Sequence, residues 1–426
     1  MFRKTPLAAA ILVLGASPVL ADNFSLQTQV GQQNSAAVEQ VGGRANAIQF
    51  QDGFRNDAQS AQFGSAGSVS QTQLGSNNSA DADQYRAGAG STITQFQGGN
   101  GNDAQASQFS GRANSVWQSQ QGHGNDSSVD QVSGSHNSAT TRQQGLHNDA
   151  SVRQELYGTH NRALIDQQGT QHQASAVQTL NDGGIIEIQQ LGHLHSIRVY
   201  QGGTRNNEVL TLQDGVNSSA LISQIAQDGS RIDVQQFGNL QNASIHQFQA
   251  DHSQVTTQQT GAANSLFAQQ NNGVNLSATL IQQGFANRHE LDQTGNSNSV
   301  DLGAYGDLNR AQVTQAGSYN ELYFDQNGSD NLLVADQRGV DNSFGGSSSG
   351  AENLVNLDQA GAHNRTRAYQ SGYLNTADIT QSGAYNSAYV SQAGSLNHAV
   401  ITQAGYAQAS TIHQFGTANQ AIANQR

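Results

Sequence analysis

Glutamine returns along this chain at a fixed step. From Gln293 to Gln425 the step is 11 residues twelve times running, with Ala304 and Ser348 the only other occupants. From Gln29 to Gln84 it is 11 five times, and between Gln84 and Gln293 steps of 11 alternate with steps of 12 or 13. Of these 36 positions, 34 are Gln and 27 have Gly two residues on. Repetition at a fixed short period marks a stacked array, in which one supersecondary unit cannot bury its apolar face alone. A unit of this length has room for one strand and one turn.

The pattern inside a unit selects the strand. In Gln370-Ser371-Gly372-Tyr373-Leu374-Asn375-Thr376-Ala377-Asp378-Ile379-Thr380-Gln381, polar and apolar residues alternate after the Asn. That is the strand period of two and not the helical 3.6. Positions 5, 7, 9 and 11 after each Gln therefore share one face. In the last twelve units position 5 is Asn eleven times, Gln408 being the exception. Position 7 is mostly Ala, Val, Leu or Phe, and position 9 includes Leu302, Val313, Leu357, Ile379, Val390, Ile401 and Ile412. The expectation is a strand of five or six residues followed by a turn at x-G-x-x-N, where Gly and Asn tolerate positive φ.

The alternation of long and short steps assigns successive turns to two different edges. One rung is then two strands and two turns, 22 or 23 residues. The predicted fold is an all-β solenoid of about 18 two-strand rungs in parallel, in-register stacking, a rod of about 85 Å at the usual strand spacing. In such a stack the inward glutamines and asparagines would be costly if unpaired. In register, each amide can bond the identical amide above and below, so donor and acceptor are satisfied together. The candidate ladder residues are Gln359, Gln370, Gln381, Gln392, Gln403 and Gln414 with Asn364, Asn375, Asn386 and Asn397. The candidate turn glycines are Gly361, Gly372, Gly383, Gly394 and Gly405.

Composition supports this reading. Residues 1–21 have the form of a secretory signal peptide: Arg3 and Lys4, an apolar Leu7 to Leu14, and Val19-Leu20-Ala21 before an expected cleavage at Asp22. Beyond it lie no Pro, Lys, Cys or Met. Proline is missing where nearly every N–H is needed by a ladder. Without Cys there is no disulfide framework, thiolate metal site or Cys nucleophile. An excess of 31 acidic over 18 basic residues argues against nucleic acid as a partner. No stretch is long and apolar enough to span a membrane. Residues 22–426 read as one solenoid, regular over 22–84, with looser turns over 85–292, and most regular over 293–426.

The repeat resembles the curlin repeat of bacterial curli fibre subunits, S-x5-Q-x-G-x-x-N-x-A-x3-Q. Gln29-Val30-Gly31-Gln32-Gln33-Asn34-Ser35-Ala36, Gln73-Leu74-Gly75-Ser76-Asn77-Asn78-Ser79-Ala80 and Gln392-Ala393-Gly394-Ser395-Leu396-Asn397-His398-Ala399 carry the likeness, which runs over essentially the whole chain after residue 21. The resemblance implies a secreted structural subunit that polymerises at the bacterial cell surface into amyloid fibres for biofilm matrix and adhesion. It also implies partners: further copies of itself, other curlin subunits and a secretion channel. No catalytic residue, cofactor or metal is expected. A monomeric surface adhesin on a solenoid stalk is the first alternative, and it would need a non-repetitive binding domain. An ice-binding solenoid is the second, and it would need a flat Thr array, whereas the outward columns mix Asp, Tyr, His and Ser.

Some motifs look chemical. Gly346-Ser347-Ser348-Ser349-Gly350 matches G-x-S-x-G, but Ser348 occupies a Gln slot of the repeat and no strand-to-helix elbow is expected there. Gly98-Gly99-Asn100-Gly101-Asn102-Asp103 is a single copy of a calcium nonapeptide that works only in tandem. His123, His147, His172 and His195 follow Gln120, Gln143, Gln167 and Gln190, and are expected to line one edge at rung spacing. Eight of the eleven tyrosines lie between Tyr305 and Tyr406, several of them in turns, where they could serve adhesion or lateral packing.

Overall fold

The computed structural model describes residues 23–64 and 66–426, so the expected signal peptide at 1–21 lies outside the described residues. The described residues form 36 strands and no helix. Alternate strands build two sheets of 18. The first sheet starts with Phe24–Gln32 and the second with Ser35–Val41. Each strand pairs in parallel with the strand two along in sequence, Gln29 beside Gln51 in the first sheet and Gln40 beside Gln62 in the second. The same register holds at the far end, where Gln392 lies beside Gln414 and Gln403 beside Gln425. The chain is a parallel, in-register β-solenoid, all-β, as the alternation and the constant step predict.

The space between the sheets is thin and filled by small and branched side chains. Ala377, Ile379, Val390, Ala399 and Ile401 are fully buried and belong to one continuous apolar cluster that reaches from Val69 to Ile412. Outward neighbours alternate with them along every strand, as in Ser387–Ser395. Phe324 and Phe344, on successive rungs of the first sheet, stack with ring centres 5.4 Å apart. The other Phe, Tyr and Trp side chains of the described residues are not buried.

Two local expectations are corrected. The strands in the regular section are nine residues long, not five or six, as in Thr376–Ala384. Rung-to-rung pairing does not stop at the Gln; it continues through the Gly and one residue beyond, Gly372 lying beside Gly394. The glycines bend the backbone at φ near 119° without releasing it from the ladder. Only two residues then make the corner. The second correction concerns which of them turns: the left-handed φ falls on the residue before the Asn, Leu374 at 52°, Tyr385 at 60° and Leu396 at 58°, and not on the Asn. The Asn is in the corner for its side chain.

In the middle section the corner from the second sheet back to the first is wider. Arg112, Ser135, Thr159, Asp182, Arg205 and Asp228 stack there as single parallel bridges, a narrow third ladder on that edge.

Candidate functional site

The site is a set of interior columns. Gln381 is fully buried; its Nε2 donates to Gln403 Oε1 at 2.8 Å, and its Oε1 accepts from Gln359 Nε2 at 2.8 Å. Gln403 continues to Gln425 at 2.8 Å. In the first sheet Gln370 donates to Gln392 at 2.9 Å and Gln392 to Gln414 at 2.8 Å. The second N–H of each amide crosses the interior to a backbone carbonyl at the start of the facing strand: Gln370 to Leu354 O, Gln392 to Thr376 O, Gln414 to His398 O. Each glutamine thus ties its rung to the next rung and one sheet to the other.

The second-sheet ladder runs without a break from Gln40 to Gln425, its first link to Gln62 and its last from Gln403. The first-sheet ladder runs from Gln29 through Gln282, where Ala304 interrupts it. One rung beyond Ala304, the buried Oε1 of Gln326 has no donor. Ser348 takes the next place, and its buried hydroxyl donates to Gln370 Oε1 at 2.9 Å, so the serine of the G-x-S-x-G match serves as a ladder member.

The asparagines form the corner columns. Asn353 Oδ1 accepts from the backbone N–H of Asn375 at 3.1 Å and from its Nδ2 at 2.9 Å. Asn375 Oδ1 does the same for Asn397, and Asn364 Oδ1 for Asn386. Each Nδ2 also donates to the turn-glycine carbonyl of the following rung: Asn364 to Gly383, Asn375 to Gly394, Asn386 to Gly405. The glycines are hemmed in by this stacking. A methyl built on Gly361, Gly372 or Gly383 would overlap the carbonyl oxygen of Gly383, Gly394 or Gly405 one rung on. Gly394 meets Gly416 in the same way, while Gly405 has room.

The structure also contains a ladder that the repeat count did not single out. Gln27, Gln49, Gln71, Gln95 and Gln118 stack in the middle of the first-sheet strands, linked at 2.7–2.9 Å. They occupy the column that later rungs fill with Ile165 and Ile188. The first five rungs therefore have a more polar interior than the rest.

The four histidines expected on one edge separate into two pairs. His123 and His147 meet edge to face at 5.4 Å on the outside. His172 and His195 take the places of Asn in the corner column, buried and stacked at 5.2 Å with planes 2° apart. There Nδ1 replaces Oδ1: His172 Nδ1 accepts the N–H of His195 at 3.3 Å, and His195 Nδ1 that of Ser218 at 3.2 Å. Nε2–H replaces the amide donor, toward Gln168 O and Leu191 O. Both rings are thereby held neutral, and burial lowers their pKa, to about 4 for His172. His289 lies fully buried between Leu266 and Ala311 with neither ring nitrogen bonded, and burial lowers it to about 3. On the outer face of the second sheet Asp103, Asp126 and Asp149 share a column; partial burial, then their mutual repulsion, raises Asp126. Among the described residues no group of three or more His, Cys, Asp or Glu is placed to hold a metal ion.

The interior thus repeats a column of stacked Gln and a column of stacked Asn with a glycine between them, every 22 residues in the regular section. The model of the curlin associated repeat matches residues 286–317 and 375–405. The chain carries curlin repeats. The matched segments lie in the section where the 11-residue step is unbroken. No curated protein matches the chain. Among the described residues no helix is long and apolar enough to cross a membrane.

Proposed function

We propose that the chain is a secreted structural subunit that assembles end to end into curli-like amyloid fibres at the bacterial surface, serving matrix cohesion and adhesion. The observation that carries this reading is the shared register of the rung interfaces. With few exceptions, such as Ala304 in the Gln column and His172 and His195 in the Asn column, each rung presents the next with stacked amides in the same register, and the outermost described rungs present theirs to solvent. Along Phe24–Gln32 every residue is exposed, and in Gln420–Gln425 none is buried. Unpaired strand edges of this kind are templates for another strand. The curlin repeat supports the same assignment, in which the partners are further copies of the chain, other curlin subunits and a secretion channel, and the ladder residues have a structural and not a catalytic role.

Assembly is tested directly with the refolded protein lacking residues 1–21. Thioflavin fluorescence, negative-stain microscopy and fibre diffraction should report unbranched fibres with the strand spacing of about 4.8 Å along the axis. A chain that folds to a β-rich monomer and stays monomeric at high concentration would overturn the reading.

A further inference from the structure

Residues 22–426 contain no Cys, Lys or Met and a single Trp, Trp117. Disulfides and lysine-derived cross-links are therefore closed to them. One-electron oxidants find no sulfur and a single indole to consume them, and tyrosine is the main oxidisable side chain left. The tyrosines are concentrated in the C-terminal third, and the fold brings four of them into two pairs across successive rungs.

Tyr385 turns a corner of one rung, and Tyr406 stands at the same edge of the next; their ring centres are 5.4 Å apart. Tyr369 and Tyr389 face outward from neighbouring strands of the first sheet at 6.0 Å. Tyr369, Tyr385 and Tyr406 are exposed and Tyr389 is half-buried, so an oxidant can reach both pairs. Each pair has an imidazole in ring contact: His363 stacks on Tyr385 at 4.6 Å and is itself paired with Asp341, and His413 lies 5.2 Å from Tyr389.

We propose that Tyr385–Tyr406 and Tyr369–Tyr389 are sites of oxidative coupling to dityrosine, a covalent staple between successive rungs. The oxidant is hydrogen peroxide acting through a haem peroxidase. Each phenol loses one electron and its hydroxyl proton, giving two tyrosyl radicals. These join through the ring carbons ortho to oxygen, and the two displaced ring hydrogens return to the oxygens. Two tyrosines and one peroxide become one dityrosine and two waters. The staple joins residues about one rung apart in sequence, so it cross-links within a chain and does not depend on assembly.

The test treats dilute full-length chain with peroxide and a haem peroxidase, and reads blue dityrosine fluorescence, intact mass and the linked residues after digestion. The expected product is a monomer lighter by two hydrogens per staple, with links at Tyr385–Tyr406 and Tyr369–Tyr389. Replacing Tyr389→Phe and Tyr406→Phe keeps both rings and should abolish the intramolecular product. Replacing Tyr157→Phe and Tyr200→Phe, which have no tyrosine neighbour in ring contact, should leave it unchanged. Equal yield from the Tyr389/Tyr406 variant, links mapped to other tyrosines, or dimers as the sole product would each overturn the proposal.

Discussion

Replacing Gln392 measures what one ladder member contributes. The side chain is buried and makes three bonds: it accepts from Gln370 and donates to Gln414 and to Thr376 O. Gln392→Leu leaves Gln414 Oε1 without its donor and Gln370 Nε2 with one acceptor fewer. One buried polar atom left short costs about 1–3 kcal/mol. Gln392→Glu is the harsher change, because a carboxylate brings oxygen against both Gln414 Oε1 and Thr376 O. The site then favours the protonated acid, so its folded pKa rises above the ordinary value near 4.3. Staying protonated at pH 7 costs about 1.4 kcal/mol per unit over roughly 2.7 units, about 3.7 kcal/mol in all. The sign follows from the raised folded pKa: the titration penalty is absent below the unfolded value and grows as pH rises above it. Because rungs couple mainly to their neighbours, the loss should be local. Amide hydrogen exchange should show protection lost over 376–425 and kept over 286–350, with Gln392→Glu worse than Gln392→Leu at pH 7 and close to it near pH 4. Wild-type protection in Gln392→Glu at pH 7 would mean that the column is not dry, and the reasoning would fail.

Other changes follow from the same geometry. Gly372→Ala should lose protection over its own and the following rung, because Ala must take a φ of 119° and its methyl must displace Gly394 O; strain at such a φ alone is about 1–3 kcal/mol, read as a lower urea midpoint. His289→Leu should raise that midpoint, since it removes two buried unbonded nitrogens from an apolar column at similar volume. Burial holds the folded pKa of His172 and His195 below the usual 6.5, so their contribution is present above that value and is lost as pH falls below it, toward about 4 for His172. The double change His172→Asn, His195→Asn should remove that acid-induced loss of protection over residues 162–218, and an unchanged acid profile would count against the neutral-imidazole assignment.

The Gln columns could be read because their step is constant and the strand period of two then puts every later residue on a known face. Counting on from each Gln would also have separated the histidines. His172 and His195 lie five residues after Gln167 and Gln190, the Asn position, whereas His123 and His147 lie three and four after theirs. The mid-strand glutamines had a signal too, a Q-x-Q recurring at Gln27, Gln49, Gln71, Gln95 and Gln118, but it sits in a column that later rungs fill with Ile and Val. Strand length was not legible. In a parallel stack the backbone pairs rung to rung wherever it runs alike, so Gly bends the strand without ending it. That the residue before Asn takes the left-handed φ was hidden for a related reason: Leu374, Tyr385 and Leu396 show no preference for it, and the stacked amides on either side impose it.

The two kinds of amide column point in opposite directions along the rod, and this has a structural consequence. In the Gln columns each Nε2 donates toward the later rung, as Gln381 does to Gln403. In the Asn columns each Oδ1 accepts from the later rung, as Asn375 does from Asn397. A rung therefore offers its successor Gln donors at the strand ends and, at the corners, Asn Oδ1 acceptors beside Nδ2 donors aimed at the next Gly carbonyl, and needs the converse pattern in return. Only a rung of the same direction and register supplies it. An inverted rung would set amide N–H against N–H at one column and oxygen against oxygen at the other, leaving several buried groups unpaired at about 1–3 kcal/mol each. Apolar burial between the sheets is indifferent to direction, since Ala and Ile pack alike against either orientation. The polar columns, and not the core, are what restrict the stack to one polarity, and the same restriction would govern any second copy added at an end.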